Sequence, residues 1–418
     1  MNKSLRLFIF ALFFLYIAQA TSPLQLFIDF TPGGQTLRPI PGVYEGPVVI
    51  RKAIIFDGGG EVTIDGKGSG TVLTILADST VVRNVHIINS GESHDQVNAG
   101  ILIEADYTVV ERNTLENVLF GIHIKSGFSN QVLQNDIRSI QASLTLRGEG
   151  IRLWNCQSNI IKGNTLSHVR DVVLTNSPYN YFIDNLVEDS RIGIELIYSP
   201  SCTVEGNIFQ RNEHGIIGLY SDSLMIKRNR IQHQDKLRGT ALAVKGSSQI
   251  LIQENEILDC AVGLTANAPI FPENIIILNN NTFAFNDVAI YLYGDRGGHV
   301  MYKNIFKGNF QHMVVTHPSA AVDNDWLGNY WDDYTGFDLN NDGVGDHPYS
   351  SYLYSERLWM DRDMARFFRG TPLLEMIDFM ERLAPFLDPP LVLQDEQPQT
   401  KYNSSVINHP AGKTSSER

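Results

Sequence analysis

A short phrase recurs ten times between residues 81 and 306, and it restricts the fold more than any other feature. It is two or three apolar residues, a polar gap, an asparagine and one more apolar position, as in VVERNTL, QVLQNDI, TVEGNIF and VMYKNIF. The shared residues are Asn84, Asn113, Asn135, Asn164, Asn185, Asn207, Asn229, Asn255, Asn281 and Asn304, at steps of 21 to 29 residues. Between copies lies a second phrase, a Gly or small residue followed by alternating apolar positions: GILIEA, GIHIKS, GIRLWN, GIELIY, GIIGLY, ALAVKG and AIYLYG. Alternation over four to six residues reads as a half-buried strand. Two or three such strands per repeat leave no room for ordinary helices, and a period near 22 marks a solenoid.

The fold expected is therefore all-β, a right-handed parallel β-helix whose coils stack at about 4.8 Å. Repeated asparagines would form a ladder at one turn, each side-chain amide bonding backbone of its own or the next coil. Leucine-rich repeats share the period, but their L-x-x-L-x-L phrase is missing. A propeller needs a longer period and blade signatures that are also missing. The open sheet edges at either end require atypical caps.

The division expected is a signal peptide over residues 1–20, the β-helix over 21–325, an Asp-rich aromatic cap over 326–350, a helical docking segment over 351–393 and a disordered tail over 394–418. Lys3 and Arg6, the apolar run Leu7 to Ile17 and Ala18-Gln19-Ala20 fit an export signal cleaved near Ala20. The formal charge of −13 argues against nucleic acid as a partner. Three cysteines, Cys156, Cys202 and Cys260, are too few for a disulfide scaffold. Free buried thiols, one disulfide and a soft copper ligand all remain open for them.

Within GNYWDDYTGFDLNNDGVGDHPY, Asp338, Asn340, Asp342 and Asp346 fall at positions one, three, five and nine of a calcium-type loop. Gly343 stands at the sharp turn and Val344 offers a carbonyl at position seven, but position twelve is Tyr349 rather than an acid. Structural calcium and an Asx-rich turn are both consistent with this. Tyr330, Trp331 and Tyr334 are placed to lie across the last coil. Farther on, Leu373, Leu374, Met376, Ile377, Phe379, Met380 and Leu383 give a broad apolar face to a short amphipathic helix starting near Thr371-Pro372.

Exported β-helices often act on polysaccharides, and such hydrolysis needs two facing carboxylates. Of the phrases polygalacturonases carry, only Asp332-Asp333 is present, with no second functional cluster facing it in the sequence. The calcium-lyase and epimerase phrases are absent. A binding or accessory protein, not an enzyme, is the expectation; an exported polysaccharide-binding or polysaccharide-modifying protein is the alternative.

PGVYEGPVVI, NAGILIEA, GEGIRLWN, RIGIELIYS and HGIIGLYS, then GNYWDDYTG, DGVGDHPY and FFRGTPLLEMIDFMERLAPF, resemble in that order the successive segments of the NosD family, over roughly residues 35 to 392. The resemblance implies a periplasmic accessory protein of nitrous-oxide reductase maturation. Such a protein works with an ATP-hydrolysing subunit and a membrane permease of ABC type. It takes copper from a lipoprotein chaperone and helps assemble the copper-sulfide centre of the reductase. The permease contact would fall on Phe367, Phe368, Arg369, Leu374, Ile377, Phe379 and Leu383. The coils matching GIELIYS and GIIGLYS often carry His and Met in the family, but here hold Glu195, Ile197 and Leu219. Cuprous ion favours thioether, thiolate and imidazole. The remaining soft residues are His214, Met301, His312, Met313 and His317, of which His312-Met313 with His317 is the densest group.

Overall fold

In the computed structural model the described residues are 23–402, except 236, 268–274, 295, 318–319, 321–322, 353–370, 373–375, 377–378, 381–382 and 384–388. The expected signal peptide lies outside them. The chain forms two compact units, Met1–Arg191 and Ile192–Arg418. Each is a stack of parallel coils, so the expected β-solenoid class is what the chain adopts. In unit one six parallel strands stack in one sheet, from Val48–Ile50 to Asp171–Thr175. In unit two six strands stack in the same way, from Ile192–Ile197 to Gln311–Val315.

Register within each unit is strict, because a one-residue slip would turn every core side chain outward. In unit one Ile101, Ile122, Ile151 and Val172 stack in line. In unit two the corresponding line is Ile194, Ile216, Leu242, Leu264 and Ile290. All are buried. The small residues opening the second phrase have a steric cause. A Cβ on Gly215 would lie 2.3 Å from the Ala241 carbonyl oxygen of the next coil.

The asparagine ladder is formed as expected and is buried. Asn229 accepts from the backbone N–H and the side-chain amide of Asn207, both at 2.9 Å. Its own amide donates to Val204 O at 2.8 Å and to Asn255 Oδ1 at 3.0 Å. The pattern repeats through Asn255, Asn281 and Asn304 in unit two, and through Asn113, Asn135 and Asn164 in unit one. The residue before each rung has positive φ, from Arg228 at 51° to Gly206 at 68°, which bends the chain between two strands.

Two positions differ from the sequence reading. Asn84 is not a rung: with φ of 53° it occupies the bending position, and Val85 takes the rung, donating its N–H to Asn113 Oδ1 at 3.0 Å. At the other end Asn329 is a rung, accepting from Asn304 N at 2.9 Å. Strands Asp325–Leu327 and Tyr330–Trp331 pair with Val300–Tyr302 and Ile305–Lys307, so the coils run into the segment expected to be the cap. Further amide ladders run through the coils. One joins Asn130, Asn159 and Asn180, another Asn286 and Asn309.

Both edges are closed. Helix Pro23–Phe30 buries Leu24 and Ile28, and its Gln25 exchanges two hydrogen bonds with Val49, at 2.7 and 2.9 Å, as a neighbouring strand would. At the far end strand Leu391–Asp395 pairs antiparallel with Tyr349–Tyr352. The tail expected to be disordered from residue 394 is therefore ordered through 402. Asp395, fully buried, ends the ladder. It accepts from Gly328 N at 3.0 Å, Asn329 N and Nδ2 at 2.9 Å each, Trp331 Nε1 at 3.2 Å and Gln397 N at 3.1 Å. A side chain that supplies acceptors to buried donors is costly to remove, since each donor left alone costs about 1–3 kcal/mol. Asp395→Ala is expected to lower the unfolding free energy by roughly 3 kcal/mol and to open residues 325–331 to hydrogen exchange. Protection equal to the parent protein's would show that the ladder needs no terminal acceptor.

Candidate functional site

The last strand of the long sheet in unit two, Gln311–Val315, places His312 beyond Ala289 on the line of small residues. No further strand follows whose carbonyl would exclude a side chain there, so an imidazole fits where the other coils of unit two take Gly or Ala. The chain then makes one more half-coil through Trp331 and turns at Asp332 and Asp333. His312 Nε2 lies 3.2 Å from Asp332 Oδ1 and 3.2 Å from Asp333 Oδ1. The imidazole side chain is only 10% exposed, and its Nδ1 is buried without a hydrogen-bond partner.

Aromatic rings fix the histidine. Phe283, Phe306, Trp331 and Tyr349 form one parallel stack, with centroid separations of 5.4, 4.3 and 4.5 Å. His312 meets Phe306 and Trp331 edge-on, at 5.9 and 5.5 Å. The oxygens of both carboxylates that point away from His312 are held as well. Gly308 N donates to Asp332 Oδ2, and Tyr349 Oη donates to Asp333 Oδ2 at 3.2 Å. Partial burial raises the Asp333 pKa, but the hydrogen bond and charge of His312 and the Tyr349 hydroxyl outweigh it and leave the carboxyl below its ordinary value. Asp333 is more than half exposed, which attaches little stability to that shift. The group opens into a cleft of about 750 Å³ whose lining includes Met313, Tyr334, His347 and Ser351.

The structure separates the sequence candidates. His312 and Met313 share this cleft, whereas His317 is exposed and does not line it. Met301 is fully buried in the core, and His214 Nδ1 accepts from Thr240 N at 3.2 Å. All three cysteines are buried and none is in a disulfide. Burial pushes the Cys260 thiol up to about 12 and raises Cys156 too, so neither offers a thiolate at neutral pH. Sequence reasoning missed the partnership of His312 with Asp332-Asp333. It also missed His347, whose only signal was a place in DGVGDHPY. Glu195 pairs with Ile217 and Ile197 with Leu219 in neighbouring strands, so those coils present no soft ligand at these positions.

In the Asp-rich loop, Asp338 accepts from Asp342 N at 3.1 Å and Gly343 N at 3.0 Å, and Asp342 from Val344 N at 2.8 Å. Asp346 accepts from Leu339 N at 2.6 Å, and Asn340 Nδ2 donates to Asp342 at 2.9 Å. Thr400 clasps the loop through Asp338 at 3.3 Å and the Gly343 carbonyl at 3.1 Å. Ligands of one calcium ion at about 2.4 Å lie within about 4.8 Å of one another. Among the described residues the His/Cys/Asp/Glu group of three or more gathered within 4.8 Å is His312, Asp332 and Asp333, not the three loop aspartates.

Of the expected docking residues, Phe379 and Leu383 are helical and exposed, as are Met376 and Met380. Phe367, Phe368, Arg369, Leu374 and Ile377 lie outside the described residues. Among the described residues no helix is long and apolar enough to cross a membrane.

Residues 138–336 match a family model described as periplasmic copper-binding protein (NosD). A probable ABC transporter binding protein NosD of Pseudomonas aeruginosa is 26% identical over 390 residues, covering 85% of this chain and 86% of its own. A protein of the same description from Stutzerimonas stutzeri is 25% identical over 421 residues, covering 93% and 92%. These matches bear out the NosD resemblance read from the phrases. Among solved structures, the A-module of mannuronan C-5 epimerase AlgE6 from Azotobacter vinelandii aligns with a TM-score of 0.53 at 13% identity, over 70% of this chain and 90% of that one. A family 28 exopolygalacturonase of Yersinia enterocolitica aligns with a TM-score of 0.55 at 8% identity, over 70% and 73%. At such identities they share the fold alone.

The hydrogen bonds that close the Asp-rich loop set an expectation. Calcium added to metal-stripped protein should leave the melting temperature unchanged, and a rise would restore the calcium loop.

Proposed function

We propose that this chain, a periplasmic accessory protein of the NosD type, accepts cuprous ion and works with an ABC-type permease and ATPase in assembling the copper-sulfide centre of nitrous-oxide reductase. A chaperone lipoprotein is the copper donor in this reading, and the chain is not an enzyme. The observation that carries it is that His312 and Met313 both line one cleft, within a chain that matches a copper-binding family. Cuprous ion takes such soft ligands in preference to carboxylates. The cleft also includes residues 349–352, whose strand leads into the segment bearing the exposed apolar residues. An apolar helix face left in water favours a partner that covers it.

Replacing His312 and Met313 together is expected to reduce cuprous transfer to the protein by at least about tenfold, the scale already seen when only an outer-shell partner of a metal ligand is lost. Unchanged transfer to a folded variant would remove the cleft as the copper site. Detergent-solubilised permease should be retained by the full chain and lost on truncation before Leu358. Equal retention by both forms would place the docking surface elsewhere.

A further inference from the structure

Soft ligands explain only half of the cleft. His312 and Met313 suit cuprous ion, but Asp332 and Asp333 do not, and both turn a carboxylate oxygen toward the same imidazole nitrogen. We propose that His312 Nε2, Asp332 Oδ1 and Asp333 Oδ1 form a second kind of site, for a first-row divalent cation of the zinc class, with its fourth position open to the cleft.

Three observations converge on it. The first is distance. Nitrogen and oxygen donors bound to one tetrahedral ion at 2.0–2.2 Å lie roughly 3.3 Å apart. The two nitrogen-to-oxygen separations here are 3.2 Å each, and all three donor atoms fall within 4.8 Å of one another. The second is orientation. Each carboxylate is anchored through its Oδ2, to Gly308 N and to Tyr349 Oη, and presents its Oδ1 to the histidine. Outer hydrogen bonds of this kind aim metal-binding carboxylates and raise affinity. The imidazole is fixed in the same way by the flanking Phe306 and Trp331 rings.

The third is charge. Two successive aspartates converge, and among the described residues no Lys or Arg stands at ion-pair distance of either, the Lys307 ammonium reaching Asp332 only through a longer-range charge interaction. A single Nε2–H can serve one oxygen well, not two. A cation at the point the three donors face satisfies all of them and neutralises the carboxylates. Coordination through Nε2 requires the neutral ring with its hydrogen on Nδ1. That nitrogen is buried without a partner, and on binding the cation takes the place of the Nε2–H bond to the carboxylates.

This inference shares His312 with the copper reading but not its other ligands, and the test keeps the two apart. Tag-free, metal-stripped protein is titrated with Zn2+ beside the variant D332N/D333N, which retains His312 and Met313. The expected result is one zinc per chain, bound at least about 100-fold more weakly by the variant, while cuprous transfer is unaffected. Equal zinc binding by both proteins, or none by the parent, would overturn the proposal. Loss of cuprous transfer in the variant would show that the aspartates belong to the copper site instead. X-ray absorption at the zinc edge of the parent protein needs no variant. One imidazole with light oxygen neighbours is expected, and a sulfur neighbour or an all-oxygen shell would sink the assignment.

Discussion

Everything in this chain is arranged around the requirement that a buried amide be answered on both sides. Each ladder asparagine removes backbone donors and acceptors from the turn where the strands change direction, a place where the sheet itself cannot satisfy them. Its bonds to the coil before and the coil after fix the vertical register of those coils. The core lines of isoleucine and leucine then follow, and so does the line of small residues that lets neighbouring carbonyls approach. A ladder of this kind cannot stop at an arbitrary point, because its last amide must still meet an acceptor. Asp395 supplies it from 66 residues beyond Asn329.

That long return explains what was legible and what was not. The repeat, the parallel coils and nine of the ten asparagines are visible because they recur at nearly constant spacing. Asn84 misled because an αL bend and a rung are adjacent positions, and asparagine suits both. Asn329 was set apart by its aromatic surroundings, although its spacing of 25 residues from Asn304 fits the repeat. Asp395 left no local signal. It stands in a polar stretch whose composition reads as disorder, and its order comes from pairing with Tyr349–Tyr352.

The candidate site divides in the same way. His312 and Met313 were picked out for their chemistry, and Asp332-Asp333 for a weak likeness to carbohydrate enzymes, but nothing in the sequence joined them. The end of the sheet does. Along unit two the position that His312 occupies is Gly or Ala in the earlier coils, and a larger side chain enters it at the last strand. In unit one the corresponding line also takes Val72 and Asp171.

The antiparallel ribbon behind the cleft has a mechanical consequence. Tyr352 pairs with Leu391, and Tyr349 with Asp395, so both ends of the intervening segment leave the ribbon from one side. A partner that draws on that segment loads the ribbon in unzipping geometry, one pair at a time. Tension reaches Tyr352 and Leu391 first and Asp395 last. The hydrogen bonds that hold the ladder are therefore shielded from the load until the ribbon has opened, while Tyr352 and Ser351 in the cleft wall feel it earlier.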